Sequence, residues 1–266
     1  MKRILLISLL LLAVIFTVSA DRRRMLMTRN VASAAYSPSD TANLFAWYKS
    51  DALVTNTSGA SPAAGGDSVA SWGDSSGNSR HLRTNSAAIA APLYIAPATT
   101  GKTYGGIEKG AGANLRVGFT AQVDTTIFAV WRNATAGNQK VVVDSTNASN
   151  RQIMYKKTTE FIATYAGSEI LANGVAIANP SWNIVAATFN SAGNDSLYTN
   201  GVAFTTTGTV GATTLDGLSI LSRYDNGGDS LGSGEYLGEV IIYSRVLNST
   251  EIGQVNTHLN SRWSVY

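Results

Sequence analysis

Residues 71–82, with the sequence SWGDSSGNSRHL, combine residue types that bind metals, bind sugars or form tight turns. The carboxylate of Asp74, the amide of Asn78 and the imidazole of His81 are candidate ligands for calcium or for a sugar. The same spacing suits a tight turn, because Gly77 and Asn78 tolerate a positive φ and the Asp74 side chain can bond nearby backbone. We interpret the stretch mainly as a turn and keep the ligand role as the alternative.

A second polar stretch, residues 224–229, is dense in oxygen ligands. Calcium takes about six to eight oxygen ligands, so this loop would need partners from elsewhere, with the Asp74 loop as the candidate. A solvated hairpin tip is the plainer interpretation. If the two loops meet in space, we expect one shared site at the rim of the domain. Its calcium ligands would be Asp74, Asp225 and Asp229, and its other ligand-binding residues would be Tyr224, Asn226, Asn78 and His81.

Residues 228–232, GDSLG, match the G-x-S-x-G pattern of nucleophilic serine hydrolases. That chemistry needs a sharp strand-to-helix turn at Ser230 and a histidine base oriented by an acid. Here the serine lies in a glycine-rich loop between two predicted strands. The only downstream histidine, His258, lies on the polar side of a predicted helix. We therefore expect no catalysis at Ser230 and predict that the protein is not an enzyme.

The aromatic residues divide into two groups. The five tryptophans occupy apolar strand segments or the apolar stripe of a helix, and we expect them to be buried: Trp47, Trp72, Trp131, Trp182 and Trp263. Three tyrosines have more polar neighbours, and their rings are candidates for stacking on sugars: Tyr155, Tyr165 and Tyr224.

The positive charge of the chain is confined to its N-terminal part. Residues 1–40 hold six basic and two acidic residues, which leaves 14 basic and 15 acidic residues in the remainder. The main domain is therefore nearly neutral, and we predict no nucleic-acid partner. The sequence has no cysteine, which excludes disulfides and cysteine-ligated metals.

The first twenty residues have the composition of a secretory signal peptide. Two basic residues precede the apolar run 4–18, and small residues follow it. The alternative is an uncleaved membrane anchor, although residues 4–20 as a helix would span about 25 Å, less than the roughly 30 Å of a bilayer core. We predict a signal peptide or anchor at residues 1–20, with any membrane contact confined to 4–20, and a basic linker at 21–40.

From residue 41 onward the sequence alternates short apolar segments with turns. Asn200-Gly201 between two such segments is a strong hairpin signal. Only the segment from Asn248 to Trp263 reads as a helix, with an apolar stripe at three- and four-residue spacing. We predict an all-β fold, a two-sheet antiparallel β-sandwich of the jelly-roll type over residues 41–266, with one C-terminal helix and an N-terminal hydrophobic leader helix.

Three stretches carry a family resemblance in their order and spacing. They are LFAWY at 44–48 with VASWGDSSGN at 69–78 and His81, the strand 182–189 with LYTNG at 197–201, and GEVIIYSRVL at 238–247 with the terminal helix. Together they resemble the laminin-G-like branch of the concanavalin A-like lectin/glucanase superfamily. The resemblance implies a β-sandwich whose concave face or rim loops bind glycans, sometimes with calcium.

The resemblance does not extend to glycoside hydrolysis. Glycosidases of this superfamily carry paired glutamates on one strand, and a retaining mechanism needs two carboxyl groups about 5–5.5 Å apart. Glu235 and Glu239 are four residues apart, so on a regular strand they would share a face but lie about 13 Å from each other.

These observations predict an exported, non-catalytic recognition domain that binds a glycan or cell-surface polysaccharide or adheres to a surface. The alternative is a structural assembly protein with protein partners, such as a phage fibre or decoration module or a cell-surface component. Either protein would be secreted or lie on a cell or virion surface. An intact N-terminus in native material would favour assembly, whereas a mature start near Asp21 would favour the secreted lectin.

Overall fold

A computed structural model describes the chain from residue 35 onward. The described residues are 35–56, 65–84, 90–109, 113–134, 139–157, 162–171, 177, 179–204 and 209–266. The expected leader, residues 1–20, and most of the expected linker lie outside these ranges. Within them, no helix has both the length and the apolar character needed to cross a membrane. Residues 37–266 form one compact unit.

Short strands dominate the described residues. They are β1 Leu44–Lys49, β2 Val54–Asn56, β3 Val69–Trp72, β4 Leu82–Thr84, β5 Leu93–Ile95, β6 Gly106–Glu108, β7 Leu115–Val117, β8 Thr125–Asn133, β9 Lys140–Asp144, β10 Ile153–Lys156, β11 Ile162–Tyr165, β12 Glu169–Leu171, β13 Ser181–Phe189, β14 Leu197–Thr199, β15 Val202–Phe204, β16 Leu218–Ile220 and β17 Tyr236–Tyr243. A 3₁₀ turn spans Pro38–Asp40, and the helices are α1 Pro97–Thr100 and α2 Ser249–Trp263.

The strands form two sheets. The first sheet has the order β15-β14-β13-β8-β17-β6-β5, with β1 also paired to β17, and the second has the order β12-β11-β10-β9-β16-β7-β4-β3-β2. Paired strands in both sheets are antiparallel. The expected two-sheet β-sandwich is therefore confirmed, and so is the β14–β15 hairpin, whose turn residues Asn200 and Gly201 have φ values of 52° and 78°.

The main core lies between the sheets. Trp72 and Trp131 are fully buried in it, together with apolar residues of both sheets such as Met154 and Leu237. The three other tryptophans are also buried, as expected, and Trp182 and Trp263 pack against each other with ring centroids 5.0 Å apart.

Helix α2 begins and ends where the sequence predicts. Asn248 and Glu251 form a reciprocal capping box, and the buried positions include the predicted stripe of Ile252, Val255 and Leu259. The helix packs on the face of the first sheet that points away from the main core. There the Trp263 ring lies so close to Gly238 that a Cβ atom at that position would come within 2.3 Å of it. The first sheet is therefore covered on both faces.

The two glutamates considered above do not share a face, so the expectation from regular strand periodicity is wrong. Glu235 precedes β17, and the register against β8 shifts between Leu237 and Glu239. As a result the Glu235 carboxylate lies 3.5 Å from Lys156 Nζ of the second sheet. The Glu239 carboxylate instead accepts a hydrogen bond from the Trp263 indole N–H, 2.8 Å away, beneath α2.

Candidate functional site

The outer face of the second sheet carries an apolar cluster that is separate from the main core. It consists of Val141, Ile153, Tyr155 and Ala163, with Tyr165 packed against it. Strand alternation explains the cluster, because Met154 and Lys156 of β10 point inward while Ile153 and Tyr155 point outward. The register completes it, since Ile153 pairs with Tyr165 and Tyr155 with Ala163 across β10 and β11.

This cluster is the floor of a groove of about 270 Å³ on the outer face. We call it the β9–β11 groove. The lining residues are Gln139, Val141, Arg151, Ile153, Tyr155, Tyr165, Arg223 and Asp229. The volume lies near the lower end of the range of small-molecule pockets, roughly 300–1,000 Å³. Apolar and aromatic side chains form the floor, and polar side chains stand around it.

The Tyr155 ring is held in place through its hydroxyl. The hydroxyl donates a hydrogen bond to the Glu169 carboxylate, which also accepts one from Lys157 Nζ at 2.9 Å. Burial, together with the bond to Glu169, raises the pKa of Tyr155 well above its usual value. Burial acts to raise the pKa of Glu169 too, but the hydrogen bonds from Tyr155 and Lys157 lower it overall. Tyr155 therefore remains a neutral donor at physiological pH.

One buried carboxylate, Asp144, joins the groove to the loop that follows β16. It accepts two hydrogen bonds from the Arg151 guanidinium, at 3.1 and 2.6 Å, and one from the backbone N–H of Tyr224 at 3.0 Å. Asp144 has no exposed surface. Burial raises its pKa, and the bonds from Arg151 oppose that shift. Arg151 and Tyr224 are thereby anchored to the same point on β9.

The loop itself is organised around Arg223. Its guanidinium donates to both oxygens of Asp225, at 2.8 and 2.5 Å, and to Asp229 at 3.3 Å. The hydrogen bonds from Arg223 lower the pKa of Asp225 to about 2. The centre of the Tyr224 ring lies 4.9 Å from the Arg151 guanidinium carbon and 5.6 Å from that of Arg223. The structure thus places Arg223 and Asp229 in the groove lining, with Tyr224 and the exposed Asp225 beside them on the same loop.

Asn226 has a structural position in the same loop. Its φ is +58°, and its side-chain oxygen accepts a hydrogen bond from the backbone N–H of Asn114 at 3.2 Å. The Asn114 amide in turn donates to the Arg223 carbonyl at 2.9 Å. Asn226 therefore ties the loop to the segment before β7.

The corner around Asp74 is closed by its own hydrogen bonds. The buried Asp74 carboxylate accepts from the backbone N–H groups of Trp47, Ser76 and Arg80 at 2.9, 2.8 and 3.1 Å, and from the Ser76 hydroxyl at 2.8 Å. The two positive φ values in the turn belong to Gly77 and to Ser79 rather than to Asn78.

The other two residues predicted for this corner also contact protein atoms. The Asn78 amide donates to the carbonyls of Leu44 and Phe45, both at 3.0 Å, and so holds the turn against β1. His81 Nδ1 accepts a hydrogen bond from the backbone N–H of Asp74 at 3.0 Å. The structure therefore gives both side chains a role in stabilising the turn.

Strand pairing separates the two predicted loops. On β7, Leu115 pairs with Thr84, the last residue of β4, and also with Ile220, the last residue of β16. The corner 73–81 precedes β4, whereas the loop 221–230 follows β16. Because β4 and β16 run in the same direction, the two loops leave the second sheet at opposite ends.

The register therefore does not bring Asp74 together with Asp225 and Asp229. Across the part of the chain that the structure describes, no group of three or more histidine, aspartate or glutamate side chains is placed to hold a metal ion. The shared rim site is not supported, and calcium binding by either loop stays a prediction from the sequence.

The serine motif lies far from the histidine it would need. Ser230 forms a β-bridge with Ser222 in the second sheet. The His258 ring lies under α2, 5.9 Å from the Trp47 ring, on the outer side of the first sheet. The two residues are on opposite sides of the sandwich.

A family model described as the concanavalin A-like lectin/glucanases superfamily matches residues 105–253, more than half of the chain. The chain belongs to this superfamily. The matched range contains every residue that lines the β9–β11 groove and excludes the Asp74 corner. No curated protein matches the sequence.

Solved structures share the fold of this superfamily member at low sequence identity. The binding domain of Paraclostridial Mosquitocidal Protein 1 has a TM-score of 0.54 at 14% identity, over 73% of this chain and 51% of that one. Trypanosoma rangeli sialidase in complex with sialic acid has a TM-score of 0.56 at 15% identity, over 83% and 33%. Domain 4 of the Geobacillus stearothermophilus arabinanase AbnA, in complex with arabinotriose, has a TM-score of 0.54 at 13% identity, over 80% and 98%. The chain spans about half of the toxin domain and a third of the sialidase.

Sequence reasoning about this superfamily member named Tyr155, Tyr165 and Asp229 of the groove but missed its two arginines. Arg151 and Arg223 lie in polar loop sequences, and no neighbouring residue distinguishes them from solvated surface arginines. Ile153, Met154 and Tyr155 are all apolar, so the segment QIMYK does not show locally which of them point outward.

Proposed function

We propose that the protein is a glycan-recognition domain and that its ligand binds in the β9–β11 groove. The observation that carries the proposal is an aromatic and apolar floor, with polar side chains around it, in a groove on the outer face of the second sheet. Sugar rings present apolar C–H faces that stack on tyrosine, and hydroxyls that bond to amides and carboxylates. Tyr165 at the edge of the cluster and Gln139 at the rim fit those two functions.

The comparisons support a sugar ligand in general terms. The superfamily is named for lectins and glucanases. Structures with the same fold include one described with arabinotriose and one described with sialic acid. Because their identity to this chain is 15% or less, they support the class of ligand and leave its identity to experiment.

The domain we propose is non-catalytic and exported. The separation of Ser230 from His258 supports the first part, as does the position of Glu235 and Glu239 on opposite faces. The apolar segment at residues 4–18, preceded by two basic residues, supports the second.

The experiment is glycan-array binding by the full chain, followed by titration of the strongest glycan into two variants. Tyr165→Ala removes a partly buried ring from the groove and should weaken binding at least about tenfold, the loss expected from one stacked ring. Tyr198→Ala is the matched control, because it removes a partly buried strand tyrosine from the first sheet. Equal losses in the two variants, or no glycan bound by the wild type, would refute the proposal.

A further inference from the structure

Three cationic side chains in or beside the β9–β11 groove each form an ion pair with a carboxylate of the protein. Arg151 pairs with Asp144 at 2.6 Å, and Lys157 pairs with Glu169 at 2.9 Å. Arg223 pairs with both Asp225 and Asp229, at 2.5 and 3.3 Å.

These pairs contain four carboxylates and three cations. If all of them are ionised, the cluster carries one net negative charge. This net negative charge would repel an anionic ligand that enters the groove.

The Nε–Nη2 edge of each arginine is also occupied. A carboxylate is recognised best when two parallel N–H groups of one guanidinium face its two oxygens. Arg151 already presents Nε and Nη2 to Asp144 in this way. Arg223 presents Nε and Nη2 to Asp225 and Nη1 to Asp229. A ligand carboxylate would have to displace a protein carboxylate to reach the Nε–Nη2 edge of either arginine.

We infer that the groove selects uncharged sugars and discriminates against sugars that carry a carboxylate. Neutral hydroxyls need only single donors and acceptors, and the Gln139 amide and the Asp229 carboxylate at the rim supply both. The inference rests on the proposed function and specifies the chemical class of its ligand.

The first test compares ligands that differ only in charge. The full chain is titrated with 3′-sialyllactose, with the methyl ester of the same sugar, and with the strongest neutral oligosaccharide from the array. We expect the neutral oligosaccharide to bind, and the ester to bind about tenfold more tightly than the acid, the size of effect that one unscreened charge contact produces. An acid that binds as tightly as its ester, or more tightly, overturns the inference.

The second test releases Arg223 from Asp225, which is exposed beside the groove and is not part of its lining. In Asp225→Asn, the affinity for 3′-sialyllactose should rise about tenfold while the affinity for the ester stays within twofold. Asp51→Asn is the control, because Asp51 also pairs with an arginine, at 3.0 Å, and its side chain is 35% exposed, like that of Asp225. The control should leave both affinities unchanged. An Asp225→Asn protein that still favours the ester by the wild-type ratio contradicts the argument from charge.

The outcomes separate the two proposals. If no glycan of either kind binds, the proposed function fails and the inference fails with it. If glycans bind and those with a carboxylate bind more tightly than their esters, glycan recognition stands and only the inference fails.

Discussion

The Arg151 guanidinium lies 4.9 Å from the centre of the Tyr224 ring, although the two residues are on different loops. Both are held by Asp144, which accepts from the Arg151 side chain and from the Tyr224 backbone. A single buried carboxylate therefore sets the distance between the floor of the β9–β11 groove and the loop beside it.

We predict that Asp144→Asn destabilises the protein by about 1.5–3 kcal/mol, the usual size of a hydrogen bond to a charged group. The amide keeps one acceptor but loses the charge that holds Arg151. Glycan affinity should fall in the same variant, because the Tyr224 loop is no longer anchored. Urea unfolding and ligand titration measure the two effects. Asp124→Asn is the control, since Asp124 is only partly buried and its one recorded bond, from Ser191, can be kept by an amide.

Much of the architecture could be predicted from local sequence. The long apolar segments that form β8, β13 and β17 are buried along almost their whole length, and helix α2 follows its apolar stripe. The order of strands within each sheet could not be predicted, because pairings such as β8 with β17 join residues about a hundred positions apart. A bulge such as the one between Leu237 and Glu239 is also invisible locally, and it changed the face that Glu239 occupies.

The candidate site was less accessible from the sequence. Tyr155 and Tyr165 were noticed because their neighbours are polar, and they lie on strands β10 and β11, which are adjacent in the sequence and pair with each other. The contact from Tyr224 to Asp144 spans 80 positions, so only the folded chain shows that the two belong to one cluster. At the Asp74 corner, the sequence indicated the turn but not that the carboxylate accepts four donors there.

Gly238 should tolerate no side chain. In Gly238→Ala the new Cβ would lie 2.3 Å from the Trp263 ring, so α2 must shift, and we expect a loss of about 1–3 kcal/mol. Gly253→Ala is the matched control, because a Cβ there meets nothing within 4 Å and alanine favours the helix by up to about 1 kcal/mol. Urea unfolding of the two variants should therefore move in opposite directions. A Gly238→Ala protein as stable as the wild type would show that the helix is not packed against β17 as described.

Glu251 makes the stability of the helix cap depend on acid pH. Hydrogen bonds from Arg245 and from the backbone of Asn248 lower the pKa of Glu251 to about 2. In the unfolded chain the pKa is about 4.3, so the contribution is fully present above that value and is lost as the pH falls toward 2. Glu251→Gln should be less stable than the wild type at about pH 7. Because it lacks the titrating carboxyl group, it should lose less stability than the wild type between about pH 4.5 and pH 2. Parallel pH curves for the two proteins would contradict this assignment.

The buried ion pair of Lys156 and Glu235 should matter to stability because each buried charge is costly without its partner. The attraction between the two charges should add little net stability. Both side chains have no exposed surface, and burial lowers the pKa of Lys156 although Glu235 opposes the shift. Lys156→Met leaves the Glu235 carboxylate buried without its cation, and we expect a loss of about 3–5 kcal/mol. Adding Glu235→Gln removes that charge, while the new amide can still accept from the Gly232 N–H, so the double variant should recover a large part of the loss. Urea unfolding of the four proteins in this cycle gives the coupling directly. A double variant at least as unstable as the sum of the single variants would mean that the two charges are not energetically coupled.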